Sequence, residues 1–211
     1  MDVAGFVLAG GQSSRMGTDK ALLDFAGEPL VVHALRILRQ ARLTASIAGA
    51  RSPLQALAPV VSDSEPDRGP LSGICAALAS TSATQALILS VDMPLLPQSL
   101  VALLLEEAQK GEPLVTVLSM NGFVQTFPVV IRREALPWMR TTLETGQGGC
   151  LAAFQSAAVS MGQSMKIVQV DQAVNEGKLS AIELPVEDWF LNVNEPADLA
   201  RALACLPQPK D

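Results

Sequence analysis

Apolar positions along the chain fall into two regimes. Short runs of Val, Ile, Leu and Ala alternate with longer segments in which apolar residues return every three or four positions. The first run, Val3 to Ala9, is nearly apolar throughout and stops at Gly10 and Gly11, which predicts a strand. Helical period follows from Pro29 to Leu43, with Pro29 pre-set for the first turn. Thr44 to Ala50 and Val60 to Ser62 read as short strands, and Leu71 to Ser80 as a helix despite Gly73. The run QALILSV, Gln85 to Val91, has the near-continuous apolar character of a central strand, and Gln98 to Lys110 is again helical.

After Gly111 the pattern loosens. PLVTVLSM and VQTFPVVIRR predict two strands around a turn at Gly122, followed by helices over Ala135 to Glu144 and Cys150 to Met161. Met165 to Val170 reads as a strand and Trp189 to Val193 as a last short one. Pro196 to Leu206 closes the chain as a helix, with Asn194 or Glu195 as its cap. No internal repeat or long linker divides the chain. The alternation predicts one α/β domain with right-handed crossovers, a mostly parallel sheet, and ligands beyond the C-terminal ends of the strands. Two loops lie there, one after the first strand and one after QALILSV.

Composition narrows the function. With 49% hydrophobic residues in 211, the chain can fill a core without disulfides or a structural metal. Fifteen Lys and Arg against 21 Asp and Glu give a net charge of −6, which excludes the broad basic surface that duplex nucleic acid or an anionic membrane requires. Every apolar run is cut well short of the roughly 20 residues of a membrane span. Asp2 stands where a secretory signal would carry positive charge, so a cytoplasmic protein is expected. Cys75, Cys150 and Cys205 form no CxxC pair, and the single histidine, His33, is far from them in sequence. Zinc, disulfide and Ser-His-Asp readings are disfavoured. Cys75 and Cys205 read as small buried hydrophobes, and His33, with no acid at helical spacing, as a residue without catalytic work.

Four segments carry candidate chemistry. The first is LAGGQSSRMGTDK, Leu8 to Lys20, which fits neither GxGxxG nor the Walker pattern. It still has the makings of a polyanion cradle: Gly10 and Gly11 allow close backbone approach, Arg15 can grip phosphate as a fork, and Lys20 adds a point charge. A plain glycine turn with solvated cations is the competing reading. The second is SVDMPLLP, where Asp92 at the strand edge either caps the next helix or serves magnesium, which typically takes one or two protein carboxylates plus substrate phosphate. The third runs from Ser62 to Gly73. Asp63 could hold a ribose or base edge, and Gly69 and Gly73 suit close ligand approach; the alternative is a hydrated acidic loop. The fourth is LNVNEPADL, where Asn192 and Asn194 alternate and Asn194, nearer the loop, is the one placed to donate oxygen to a metal or phosphate site or to make a turn.

Together, Leu8-Ala9-Gly10-Gly11, Ser14-Arg15-Met16-Gly17, Asp19-Lys20, Gly69-Pro70-Leu71, Asp92-Met93-Pro94 and Asn192-Val193-Asn194 with Pro196 resemble the molybdenum cofactor guanylyltransferase family, MobA. The resemblance spans Val3 to about Leu206 and is poorest over residues 112–188. It implies a Rossmann-like nucleotidyltransferase fold, a three-layer sandwich in which about 1–111 holds the nucleotide and about 112–206 the acceptor. It implies transfer of GMP from Mg-GTP to molybdopterin with release of pyrophosphate, Mg2+ as the metal, and a partner that hands over the cofactor. Carried across, Leu8, Ala9, Gly10 and Gly11 would contact the nucleotide, Lys20 its phosphates, Asp63 the nucleoside and Asp92 the magnesium, with Arg15, Lys20 and Asp92 as the catalytic set. The chain departs from the family at Ala48-Gly49-Ala50, where a polar nucleoside contact is usual, and at Gly146 to Phe154, which lacks a basic pair. LAGG and Asp19-Lys20 favour GTP over the CTP of the related branch. A different phosphorylated acceptor and a non-catalytic GTP-binding protein are the rival readings.

Overall fold

A computed structural model describes residues 2–10, 19–49, 52–63, 68–146, 148–180 and 184–206. Strand β1 (Val3–Leu8) is followed by a two-residue hairpin, β2 (Asp24–Phe25) and β3 (Glu28–Pro29), and then by helix α1 (Leu30–Gln40). Next come β4 (Thr44–Ala48), β5 (Val60–Val61), α2 (Pro70–Ser80), β6 (Gln85–Ser90) and α3 (Gln98–Gln109). The second half contains β7 (Val115–Met120), β8 (Phe123–Arg132), α4 (Leu136–Thr145), α5 (Cys150–Ser160), β9 (Lys166–Gln169), α6 (Val170–Asn175) and α7 (Pro196–Ala204).

Seven strands form one sheet in the order β5-β4-β1-β6-β8-β7-β9. Only β8 runs antiparallel to its neighbours. The chain moves outward from β1 to β4 and β5, then crosses back to lay β6 on the other side of β1, so the strand order reverses between β1 and β6. Open α/β sheets leave a crevice at such a point, because the loops leaving the two strands diverge to opposite faces. All six residues of β1 are buried, and they alternate between two cores. Val3 and Val7 face the one built by α1, α3, α6 and α7; Ala4, Phe6 and Leu8 face the one built by α2, α4 and α5. This is the expected three-layer sandwich.

The predicted elements agree with the structure, with four corrections. Trp189 to Val193 is not a strand: it is a turn followed by extended chain, because the buried Trp189 ring anchors it by donating Nε1–H to the Leu184 carbonyl at 3.2 Å. Pro29 precedes α1 as part of β3 rather than occupying its first turn, and α1 stops at Gln40, where Leu43 turns back to donate to the Leu38 carbonyl. Helix α6 begins at Val170, where the strand predicted over Met165 to Val170 was to end. Finally, the two-residue strands β2 and β3 are too short to leave a periodic signal. Pro128 inside β8 is accommodated because the β7–β8 register shifts between Val117 and Leu118, leaving the proline out of the ladder.

Phe154 on α5 is fully buried in the core beneath the second half of the sheet. Phe154→Ala is expected to lower the unfolding free energy by about 3–5 kcal/mol through lost burial and a residual cavity, read from urea denaturation. A change below about 1 kcal/mol would mean that the helix collapses onto the gap.

Candidate active site

The crevice between β1 and β6 collects side chains from three distant parts of the chain. Lys20 begins a short 3-10 turn over Lys20–Leu22, set by Asp19, whose Oδ1 accepts the Ala21 N–H at 3.0 Å. Its Nζ donates to Asp92 Oδ2 at 2.8 Å and to Asn194 Oδ1 at 2.8 Å. Asp92 leaves the end of β6, and its other oxygen, Oδ1, accepts from Ser90 Oγ. Asn194 is delivered by the extended segment before α7. The Val193 N–H donates to the Asp92 carbonyl at 2.8 Å, and the Asn194 and Glu195 N–H groups both donate to Asp198 Oδ2 at 2.9 Å. Those two N–H groups hold the Asp198 carboxyl below its usual range. Lys20 and Asp92 are each 19% exposed in their side chains, enough for a ligand to reach them.

The opposite wall of the crevice is made of close backbone approaches. The Ala9 N–H donates to the Ala48 carbonyl and the Val91 N–H to the Leu8 carbonyl, so the sheet already uses these groups where β1 ends. A Cβ on Gly10 would lie 2.7 Å from the Gly49 carbonyl oxygen, which requires glycine there. A Cβ on Gly73 would meet Leu8 Cδ2 at 2.9 Å and Asp63 Oδ1 at 3.7 Å. Asp63, just beyond β5, thus faces the start of α2 through a gap that two glycines keep open. Its Oδ1 is buried with no hydrogen-bond partner among the described residues, and burial pushes the carboxyl above the usual aspartate range.

A second opening of about 400 Å³ lies between the start of α2 and the α4–α5 junction, lined by Arg68, Gly69, Leu143, Gly146, Gly149 and Cys150. Arg68 donates to the Leu143 carbonyl across it. The stretch that lacks a basic pair in sequence therefore has a guanidinium beside it from another segment.

The structure brings Lys20, Asp92 and Asn194 together, and brings Leu8, Gly10 and Asp63 to one wall. Gly11 and Arg15 lie outside the described residues. Asp92 does not cap α3, whose preceding residue is Pro97. Asn192 turns away and donates to the Phe190 carbonyl. Sequence reading passed over Ser90 and Asp198, although Glu195 followed three residues later by an acid is a capping-box spacing that could have revealed the second. It also passed over the acid that His33 does meet. Nδ1 lies 3.2 Å from Glu28 Oε1 and 2.8 Å from Arg36 Nη2, because Glu28 sits in the hairpin before the helix rather than one turn away along it. Burial and the Arg36 charge push the His33 pKa down, and the ring hydrogen-bonds the Pro94 backbone in the loop that carries Asp92. Cys75 and Cys150 are buried, with the Cys150 thiol pushed up to about 12 by burial, whereas Cys205 is only half-buried beside Asp188.

The fold and this crevice together define an α/β nucleotidyltransferase. A sequence model of the MobA-like NTP transferase domain matches residues 5–160, which is most of the chain, and the protein belongs to that family. The molybdenum cofactor guanylyltransferase of Xanthomonas euvesicatoria is 42% identical over 106 residues, 50% of this chain; the match spans about half that relative's length, 54%. The molybdenum cofactor guanylyltransferase of Pseudomonas putida is 32% identical over 174 residues, covering 80% of this chain and 89% of its own. In fold, the chain is similar to the crystal structure of molybdopterin-guanine dinucleotide biosynthesis protein A from Archaeoglobus fulgidus, with a TM-score of 0.73 and 19% identity over 95% of this chain and 97% of that one. No helix among the described residues is long and apolar enough to cross a membrane.

The raised pKa of Asp63 has a sign that can be tested. A carboxyl that binds its proton more tightly when folded costs stability as pH rises through and above the ordinary aspartate range near 4. Asp63→Asn is therefore expected to raise the urea midpoint at pH 7 and to lose that advantage at pH 3.5. An equal or lower midpoint at pH 7 would show that Asp63 has a favourable partner in the free protein.

Proposed function

We propose that this protein transfers GMP from Mg-GTP to molybdopterin, forming the guanine dinucleotide form of the cofactor and releasing pyrophosphate. The observation that carries this reading is the meeting of Lys20, Asp92 and Asn194 at the strand-order reversal, within a chain whose curated relatives are molybdenum cofactor guanylyltransferases. Residues 1–111 would hold the nucleotide, while 112–206 would supply most of the acceptor's surroundings.

Asp63 supports guanine on chemical grounds. A buried carboxylate oxygen without a partner calls for donors, and the guanine ring offers N–H and amino donors side by side, which one carboxylate can accept together. Cytosine presents one donor beside an acceptor and would leave the carboxylate half-satisfied. Leu8, Ala9, Gly10 and Gly11 would line the nucleotide, with Gly10 and Gly73 keeping the wall free of side chains.

Asp92 Oδ2 and Asn194 Oδ1 fit Mg2+: both are hard oxygen donors and they converge on one point, so they would hold the ion while water and substrate phosphate supplied its other ligands. When bound, the metal would neutralise phosphate oxygens as charge develops. The acceptor's phosphate oxygen would attack the α-phosphorus in line, forming one O–P bond as the bond to the β-phosphate bridging oxygen breaks. Because that phosphate is already ionised, no general base is required. This agrees with His33 being engaged by Glu28, Arg36 and Pro94. Lys20 and Arg15 would stabilise the departing pyrophosphate. The opening beside Arg68 would receive the acceptor, its guanidinium standing in for the missing basic pair. A cytoplasmic setting and a handover partner for the labile cofactor accompany this reading.

Pyrophosphate release from GTP and from CTP, with magnesium and with or without freshly released molybdopterin, tests it. Release only with GTP and molybdopterin is expected. Release with CTP, or with another phosphorylated acceptor in place of molybdopterin, would reassign the substrate; Mg-GTP binding without turnover on any acceptor would identify a non-catalytic binder. Asp92→Ala is expected to lower transfer by at least about 10²-fold while the circular dichroism spectrum and urea midpoint stay close to those of the parent. Retained activity at ordinary magnesium would refute the metal assignment.

A further inference from the structure

Both carboxylate oxygens of Asp92 already accept a hydrogen bond. Ser90 Oγ donates to Oδ1, and Lys20 Nζ donates to Oδ2 and to Asn194 Oδ1 at 2.8 Å each. The ammonium stands on the two donors assigned to the metal. We propose that Lys20 is the resident cation of this site, so that a divalent metal takes the Asp92–Asn194 pair only when a nucleoside triphosphate draws the ammonium away. This rests on the metal and nucleotide assignments made above.

Three physical facts support the exchange. An ammonium and a divalent cation cannot share one carboxylate oxygen at contact distance in a half-buried crevice, where their repulsion is only partly screened. Lys20 sits on a flexible four-carbon stem, so its charge can cross several ångströms while Asp19 holds the backbone of its turn. A triphosphate offers the ammonium more negative charge than one carboxylate and an amide oxygen do, and it brings the metal with it. Lys20 thereby has two successive partners, and its departure from the first opens the metal site at the moment its charge is needed by the phosphates. Metal alone is kept out, and the carboxylate is never left in the crevice without a cation. Asp198, whose carboxyl feels the Lys20 charge, holds Asn194 in place during the exchange through the two backbone N–H groups that it accepts.

The test is a Mn2+ titration of the full-length protein without nucleotide, followed by electron paramagnetic resonance. Lys20→Met, which keeps the stem and removes the charge, is expected to bind one Mn2+ at least about tenfold more tightly than the parent. Lys20→Arg, which keeps a cation, should bind as weakly as the parent, and Lys20→Met with Asp92→Asn should lose the gain. Equal affinity in the parent and Lys20→Met, or a gain that survives Asp92→Asn, would overturn the proposal. A further arm with a non-hydrolysable GTP analogue separates this failure from that of the functional reading. If Asp92→Asn loosens Mn2+ in the nucleotide complex but Lys20→Met gains nothing without nucleotide, the exchange alone is wrong. If Asp92→Asn leaves Mn2+ unchanged in that complex, the metal assignment falls and the exchange with it.

Discussion

Strand β1 is hydrogen-bonded along both edges and buried on both faces, and every feature of the crevice is placed relative to where it ends. Because β4 and β6 are in register with it, the exits of all three strands lie at one level of the sheet. The last sheet bonds, Ala9 N–H to the Ala48 carbonyl and Val91 N–H to the Leu8 carbonyl, fix the loops that leave there. Gly10 then passes Gly49 at a separation that no side chain would tolerate. The crevice is thus a consequence of sheet geometry first, and of its polar residues second.

Much of this was legible because buried strands and amphipathic helices leave periodic traces. QALILSV declared a central strand, and the parallel order followed from alternation with helices. The failures share a cause. Trp189 to Val193 has the apolar content of a strand but is held by one indole and its carbonyl partner, a tertiary interaction with no period. The β2–β3 hairpin is too short for any period to show, and α6 follows β9 with no intervening turn residue to announce it.

The site was legible to a different degree. Glycines at strand ends and an aspartate after a buried run point to ligand chemistry from spacing alone, and Lys20, Asp92 and Asn194 were each identifiable as candidates. Their convergence was not, since it depends on how β1, β6 and the segment before α7 meet in space. Ser90 and Asp198 do their work by holding other residues in place, which leaves no chemical signature in the chain itself. The stretch from Gly146 to Phe154 lacks a basic pair of its own, and what stands beside it is Arg68, from a segment roughly 80 residues away in sequence, a neighbour that only the fold reveals.

The bond from Val193 to the Asp92 carbonyl joins the loop after β6 to the segment just before α7, about a hundred residues further along the chain. During synthesis, β1, β4 and β6 can emerge and pair while Asn194 is still unmade. A polypeptide paused before this point would possess much of the sheet but only a partial cation site. A nick that releases α7 would take Asp198 away from the backbone of Asn194 and so loosen the Lys20–Asp92–Asn194 cluster while sparing most of the core.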